Sequence, residues 1–465
     1  MTSKKEPFEI LVSSVRRYIN AGVKSRLWKF LSKLRPEDIA RVLDRLVFEN
    51  KKIIFELLKE KDIPMLAEVL SEIDSEDAVE LLSDLSPKEI SEILNEFSSD
   101  DAAELLSEFP EDLKEKVIQC MNKEESEDVK ELLQYEEDTA GRIMSTDFYA
   151  LEENTKISDA VAAIQLATDV EVPFYLYVVD KNYKLVGVVS LKKLLLYPPN
   201  TKLKDIMLKD IIHVSTDTDQ EEVARKVERY NLVAIPVVDK NKKLVGVITV
   251  DDVIDIIREE ATEDIYRMAG VIEGERIQDP VFDSIKKRIP WLMLALLTTF
   301  FSAIVITYFE GVIKNAVILA ALMPLVAALG GVAGNQTNAV VVRELSVGDF
   351  DWRMGRRLLL KHFLLGIALG IVVGLGGAVF IKIAYKLLQE TIGLKVGIDA
   401  GIVIIFGVGI FFNILNGLLM GTLIPMTFRF VGLDPALSSN MFVSMFTDTF
   451  GFFIFLQLAK AFYHV

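Results

Sequence analysis

The chain has 465 residues, with 68 acidic against 52 basic side chains and a net charge of −16. An acidic excess of that size excludes nucleic acid as a partner, because holding phosphate requires a basic face. One cysteine, Cys120, and three histidines rule out an intrachain disulfide and leave little for zinc or copper, whereas oxygen ligands for hard cations such as Mg²⁺ or Ca²⁺ are plentiful.

The charge is unevenly spread. Up to Pro280 there are 59 acids and 38 bases, and from Val281 onward nine acids and fourteen bases, so a soluble half at −21 precedes a membrane half at +5. Residues Met1 to Pro7 are charged and carry no apolar core, so no cleavable signal peptide is expected and the acidic half is expected to stay in the cytoplasm.

Residues 1–135 show helical periodicity in short acidic units. Leu85-Ser-Pro-Lys-Glu-Ile, Phe97-Ser-Ser-Asp-Asp-Ala and Phe109-Pro-Glu-Asp-Leu each end one helix, cap it and begin the next. Their recurrence every twelve residues predicts an all-α N-terminal domain stacked as a superhelix, a scaffold that implies no chemistry by itself.

From 136 to 260 the pattern is mixed α/β and repeats. Val178-Val-Asp-Lys-Asn-Tyr-Lys-Leu-Val-Gly-Val188 returns as Val237-Val-Asp-Lys-Asn-Lys-Lys-Leu-Val-Gly-Val247, an offset of 59 residues. Each copy reads as a strand, an Asp-Lys-Asn turn, a second strand and a helix. The unit resembles the CBS module, here as a pair over 136–200 and 201–260, and CBS pairs often bind adenine nucleotides in their cleft. The resemblance implies ATP as a ligand of the pair. The module's ribose signature is met by Gly246, Thr249 and Asp252 in the second copy, whereas Gly187 and Ser190 of the first are followed by Lys193.

A connecting segment over 251–280 begins with a helix that carries Asp251, Asp252, Asp255, Glu259, Glu260, Glu263 and Asp264. Several lie at i, i+4 spacing, where like charges repel, so a basic partner or bound divalent ions must offset them. Solvation of an exposed linker helix is the plainer alternative.

Residues 281–465 predict five spans, at 290–309, 315–342, 358–381, 399–424 and 435–459. Lys286, Lys287 and Arg288 before the first, and Arg343, Arg353, Arg356, Arg357 and Lys361 between the second and third, mark the cytoplasmic side. The N-terminus is then inside and the C-terminus outside, although Lys382, Lys386 and Lys395 fall in the outer loop. Gly366, Gly370 and Gly374 form one small-residue face and Gly417 and Gly421 another, which allows close helix packing. The second span closes on Pro324, Gly330, Gly331, Gly334, Asn335, Gln336, Thr337 and Asn338, a polar run expected to be flexible and to face protein or a water-filled path.

In the last span Asp448 costs about 3 kcal/mol unless it faces a polar cavity, a partner or an ion. Asn440 and Ser444 precede it at spacings of four, on one helical face. That stripe suits a pore lining, and for Asn440 and Ser444 it equally suits an interhelical hydrogen-bond cluster.

The Gly-Asn-Gln run, the Gly432-Leu-Asp-Pro-Ala436 turn and the Asp448 stripe together resemble the MgtE family of magnesium channels, over the whole chain. The fold implied is a multidomain membrane protein: all-α superhelical N-domain, α/β CBS-domain pair, connecting helix and five-helix transmembrane domain. The function implied is a homodimeric Mg²⁺-selective channel that closes when cytoplasmic Mg²⁺ is high, with Mg²⁺ as its ion and no enzymatic activity. By the same resemblance Asp448, Asn440 and Ser444 line the pore and Asp434 is the acid at its cytoplasmic mouth. The gating carboxylates map to Asp100 and Glu104, to Asp219 and Glu221, and to Asp252, Asp255, Glu259, Glu260 and Glu263. One departure is Val332, where the family usually has Asn after the double glycine, and this bears on selectivity. The rival readings are a gradient-coupled carrier of Co²⁺ or Mn²⁺, which more often shows inverted repeats, and a membrane-anchored sensor that moves nothing. No nucleophile–base pair or Walker-type loop is present.

Overall fold

The computed structural model describes residues 7–166, 175–272, 275, 280–347, 351–392, 399–437 and 440–463; residues 1–6 and Lys395 lie outside that set. The chain forms two compact units, Met1–Ile257 and Arg258–Val465.

The first unit opens with α1 (Pro7–Asn20), α2 (Lys24–Leu31), α3 (Pro36–Leu43), α4 (Phe48–Lys61), α5 (Ile63–Ser71), α6 (Ser75–Leu82), α7 (Pro87–Leu94), α8 (Ser99–Ser107), α9 (Glu111–Cys120) and α10 (Lys123–Leu132). From α5 onward each helix starts twelve residues after the last. Local chemistry sets that period: about two turns of helix, then a cap. Ser86 and Glu89 form a reciprocal capping box around Pro87, and the Asp62 and Asp74 side chains cap α5 and α6. Because each helix reverses direction, α3 packs on α5, α5 on α7 and α7 on α9, while α4, α6, α8 and α10 make the facing row. Ile39, Ile54, Leu58, Leu82, Ile90 and Leu106 are fully buried between the rows.

The same unit continues with β1 (Ala150–Glu152), α11 (Ile157–Leu166), β2 (Tyr175–Val179), β3 (Leu185–Ser190), α12 (Leu191–Leu196), α13 (Leu203–Ile206), β4 (Val214–Ser215), α14 (Gln220–Tyr230), β5 (Ala234–Val238) and β6 (Leu244–Thr249). Among the described residues two three-stranded sheets result, β1-β2-β3 and β4-β5-β6, each with one parallel and one antiparallel pairing. Their registers match: Tyr175 faces Ser190 and Ala234 faces Thr249, with a bulge at the same place in each hairpin. The carboxylates of Asp180 and Asp239 accept the turn N–H groups of Asn182 and Lys184, and of Asn241 and Lys243. The two hairpins also bond to each other, Leu185 N–H to Lys242 O at 3.2 Å and Leu244 N–H to Tyr183 O at 3.1 Å. The predicted repeat is thus a pseudo-symmetric pair.

Helix α15 (Val250–Ala269) leaves β6 and runs from the first unit into the second. The second unit contains α16 (Val281–Tyr308), α17 (Glu310–Asn315), α18 (Ile318–Val347), α19 (Trp352–Ile392), α20 (Ala400–Val431), a 3₁₀ turn at Pro435–Leu437 and α21 (Asn440–Tyr463). Among the described residues five helices, α16 and α18 to α21, are long and apolar enough to cross a membrane. Helices α16, α18, α19 and α20 overrun the predicted spans at one end or both, most of all α19, whereas α21 starts five residues inside its predicted span and ends four beyond it. Lys286 to Arg288, and Arg353 to Lys361, therefore lie within the first turns of α16 and α19, not ahead of them. Long basic side chains tolerate this because they reach back to the interface.

Helix α20 is the hub, packing on α18, α19 and α21, while α16 packs on α21. A methyl group on Gly417 or Gly421 would overlap the carbonyl oxygen of Gly330 or Gly334 of α18, so these backbones touch. Gly366, Gly370 and Gly374 of α19 meet Leu415, Phe411 and Gly407 of α20 in the same manner. The polar run from Pro324 to Asn338 corrects the expectation of a flexible segment, since α18 is helical throughout. Pro324 stands in the second turn, where it removes only the bond to Ala320 O. The glycines that follow are spent on packing against α20.

Candidate ion-handling sites

On α21, Asn440 is exposed, and Ser444 and Asp448 are half-buried on the predicted stripe. Among the described residues no hydrogen bond or ion pair engages the Asp448 carboxylate. Its neighbours are polar but occupied: Thr447 Oγ1 donates to Ser444 O at 3.1 Å, Thr449 Oγ1 lies 3.2 Å from Ser302 Oγ of α16, and Asn416 Nδ2 donates to Phe446 O at 3.4 Å. Asn413, wholly buried, donates from Nδ2 to Val326 O at 2.8 Å and joins α20 to α18. Asn335 keeps a buried Oδ1 with no hydrogen-bond partner, whereas Val332 is 55 % exposed and points off the packed face of α18.

Asp434, just after the α20 cap, is half-buried. Its Oδ1 accepts Ala436 N–H at 2.8 Å and its Oδ2 accepts Nη1 of Arg267 at 2.6 Å. Arg267 is also paired with Glu263, one turn earlier on α15.

In the first unit, Asp100 at the start of α8 has Oδ1 buried without a hydrogen-bond partner. Burial, reinforced by Asp101 and by Asp252 of α15, pushes its carboxyl well above the usual carboxylate range, against hydrogen bonds from the Ser98 side chain and its own backbone that act the other way. Glu72, after α5, is raised by burial and by the charges of Glu37, Asp255 and Asp251. Glu72 and Glu37 were not legible as site residues, because nothing local in the sequence links them to α15. A further acidic patch joins α10 to the 146–147 segment. Asp147 is raised by burial and Glu124, and Glu125 and Asp128 are raised by burial and Asp147.

The remaining predicted acids have local partners. Glu104 Oε1 accepts from Ser75 Oγ at 2.8 Å. Asp219 caps α14 through Glu221 N–H at 2.8 Å, and Glu221 lies 3.6 Å from Arg225. Asp252 Oδ2 accepts from Thr249 N–H at 3.1 Å and Thr249 Oγ1 at 2.5 Å, which ties the first turn of α15 to the residue before it. Asp255 and Glu259 are exposed on that helix and Glu260 is half-buried. Among the described residues no three His, Cys, Asp or Glu side chains converge closely enough to hold a metal ion. In the nucleotide signature, Gly246 is covered by Met144, as Gly187 is by Met207, and Lys193 Nζ donates to Ile206 O at 2.8 Å.

Comparison with known proteins agrees with this layout. Residues 34–138 match the family described as MgtE intracellular N domain, 140–200 and 203–259 match CBS domains, and 323–458 match the MgtE family of divalent cation transporters. The magnesium transporter MgtE of Thermus thermophilus is 34% identical over 342 residues, covering 72% of each chain. That of Bacillus subtilis is 33% identical over 345 residues, covering 74% of each. A solved structure, the cytosolic domain of the Mg²⁺ channel MgtE in complex with ATP, is 34% identical with a TM-score of 0.50, over 53% of this chain and 99% of that one. With an acidic helical domain, a CBS pair and five apolar helices in that order, and with these relatives, the chain belongs to the MgtE family of magnesium transporters and is a multi-pass membrane transporter, not an enzyme.

Proposed function

We propose that the protein is a homodimeric Mg²⁺-selective channel, closed from the cytoplasm by Mg²⁺ held at carboxylates of the N-domain, the CBS pair and α15. The observation that carries the gating half is Asp100. A carboxylate oxygen out of water without a hydrogen bond, with Asp252 beside it, costs about 1–3 kcal/mol or more if it stays ionised. A divalent cation shared by Asp100 and Asp252, near Glu104, removes that cost, and one near Glu72, Asp251 and Asp255 does the same. Mg²⁺ gives up its waters reluctantly and takes one or two protein carboxylates at a time, so paired acids suit it. The state in which the acids face each other gains ion affinity that a splayed state lacks, and the population shifts toward it. Asp255, Glu259, Glu260 and Glu263 extend the same field along α15, to which Asp219 and Glu221 add charge.

For conduction, Asp448 from each of two copies, with Asn440 and Ser444 on the same stripe, supplies outer-shell hydrogen bonds to a hydrated ion, and Asp434 stands at the cytoplasmic mouth. The basic flanks of α16, α18 and α19 support a cytoplasmic N-terminal half and an outer C-terminus. The relative solved with ATP supports adenine nucleotide as a modulator at Gly246, Thr249 and Asp252. The test is current through bilayers that contain the purified protein, with Mg²⁺ outside and stepped Mg²⁺ on the cytoplasmic face. Current that shuts as cytoplasmic Mg²⁺ rises supports pore and sensor together. Uptake only under an imposed proton or sodium gradient would replace the channel by a coupled carrier.

A further inference from the structure

Arg267 stands in the last turn of α15, and the backbone holds its surroundings from two sides. Gly270, at φ +72°, closes α15 with Gly270 N–H on Arg267 O at 3.1 Å and Val271 N–H on Tyr266 O at 3.0 Å. Gly432, at φ +82°, closes α20 in the same way on Arg429 O and Phe428 O. Tyr266 Oη donates to Glu275 O at 2.9 Å, and the Glu275 carboxylate takes Nε and Nη2 of Arg288. Between the two closures the Arg267 guanidinium spans two carboxylates, Nη1 on Asp434 Oδ2 and Nη2 on Glu263, across 167 positions of sequence to Asp434. With Ala436 N–H on Asp434 Oδ1, the guanidinium sits on the carboxylate oxygen that the backbone leaves open.

We propose that Arg267 is a tethered competitor of divalent cations at Asp434 and Glu263. The proposal rests on the reading that these carboxylates meet Mg²⁺. The guanidinium is a planar fork matched to carboxylates, and it ties the end of α15 to the turn before α21 when divalent ions are scarce. Its single charge leaves one of the two carboxylates uncompensated. A divalent ion neutralises both, and that difference in charge drives displacement of the arginine, with the ion joining the two carboxylates in its place.

The experiment is Mn²⁺ binding to the purified full-length protein, with free Mn²⁺ counted by electron paramagnetic resonance, for the parent, Arg267→Gln, Asp434→Asn, the double variant and Arg267→Lys. Arg267→Gln is expected to tighten one class of site by about fivefold, the scale of a partly exposed ion pair. Asp434→Asn in the same chain is expected to abolish the gain. Unchanged or weaker Mn²⁺ binding by Arg267→Gln overturns the proposal, as does an equal gain with and without Asp434. Should Arg267→Gln not fold, the lysine variant decides: an ammonium lacks the fork, so tighter binding than the parent supports competition and equal binding overturns it. Because this comparison reads binding alone, absence of Mg²⁺ current in the parent would remove the channel reading and leave the competition result standing.

Discussion

Asp100→Asn removes one negative charge from α8 while keeping the side chain's shape, and it is expected to stabilise the cytoplasmic unit when divalent ions are absent. The ionised Asp100 Oδ1 is out of water and has no hydrogen-bond partner, a cost of about 1–3 kcal/mol. For a unit of some 250 residues each kcal/mol moves the midpoint by about 2–4 °C, so the variant should melt about 2–12 °C higher in EDTA. The pH dependence has a definite sign. A carboxyl raised by folding contributes stability below the ordinary carboxylate range and loses it as pH climbs through the raised value. Glu72, Glu125, Asp128 and Asp147 are raised likewise, so the parent unit in EDTA should be firmest at mildly acidic pH and weaken toward alkaline pH, and the variant should weaken less. Glu89 runs the other way. Ser86 holds it at about 2, so its contribution fades only in strong acid, outside this window. Millimolar Mg²⁺ should raise the parent's midpoint more than the variant's. The assay is thermal unfolding of a soluble fragment ending at Ala269, in EDTA and in Mg²⁺, from pH 5 to 8. A parent midpoint that rises with pH in EDTA refutes the reasoning, as does a variant that melts lower yet keeps the whole Mg²⁺ shift.

Asp448→Ala is expected to abolish Mg²⁺ uptake into proteoliposomes while leaving the protein's size-exclusion profile unchanged; uptake at the parent rate would sink the pore assignment. Combined Asp252→Asn, Asp255→Asn and Glu263→Gln should leave current flowing at cytoplasmic Mg²⁺ that shuts the parent. Asn at 252 still offers Thr249 an acceptor, so the start of α15 survives, and unchanged inhibition would count against gating by this helix. Gly417→Leu drives a side chain into the Gly330 carbonyl of α18, an overpacking cost of about 1–3 kcal/mol or more. It should lower the melting point in detergent, whereas Gly376→Ala, whose added methyl meets nothing, should not; equal effects of the two would contradict the close crossing.

What the sequence disclosed was whatever is written locally. The twelve-residue period, the 59-residue repeat and the five apolar helices each depend on neighbours a few positions away, and each appears in the structure. The Pro324–Asn338 run was misread because proline and glycine signal irregularity by default. Here the proline sits near a helix start and the glycines answer to α20, a partner that no local window contains. The acids of α15 were legible as a cluster, but their opposing charges were not. Asp100 faces Asp252 across about 150 residues of sequence, Glu72 faces Asp255 across more, and Arg267 reaches Asp434 only through the fold. Asp219 and Glu221 carry the right chemistry by type, yet their geometry spends them on a cap and an ion pair.

The alternating rows of the N-domain give the array a parity. Since each helix packs on the next but one, loss of a single twelve-residue unit would move every later helix to the opposite row and turn α8, with Asp100, away from the side it now presents. Loss of two adjacent units would shorten the stack and keep the sides. Length variation among proteins built on this plan should therefore come in pairs of helices, and a deletion of one unit should cost far more than a deletion of two.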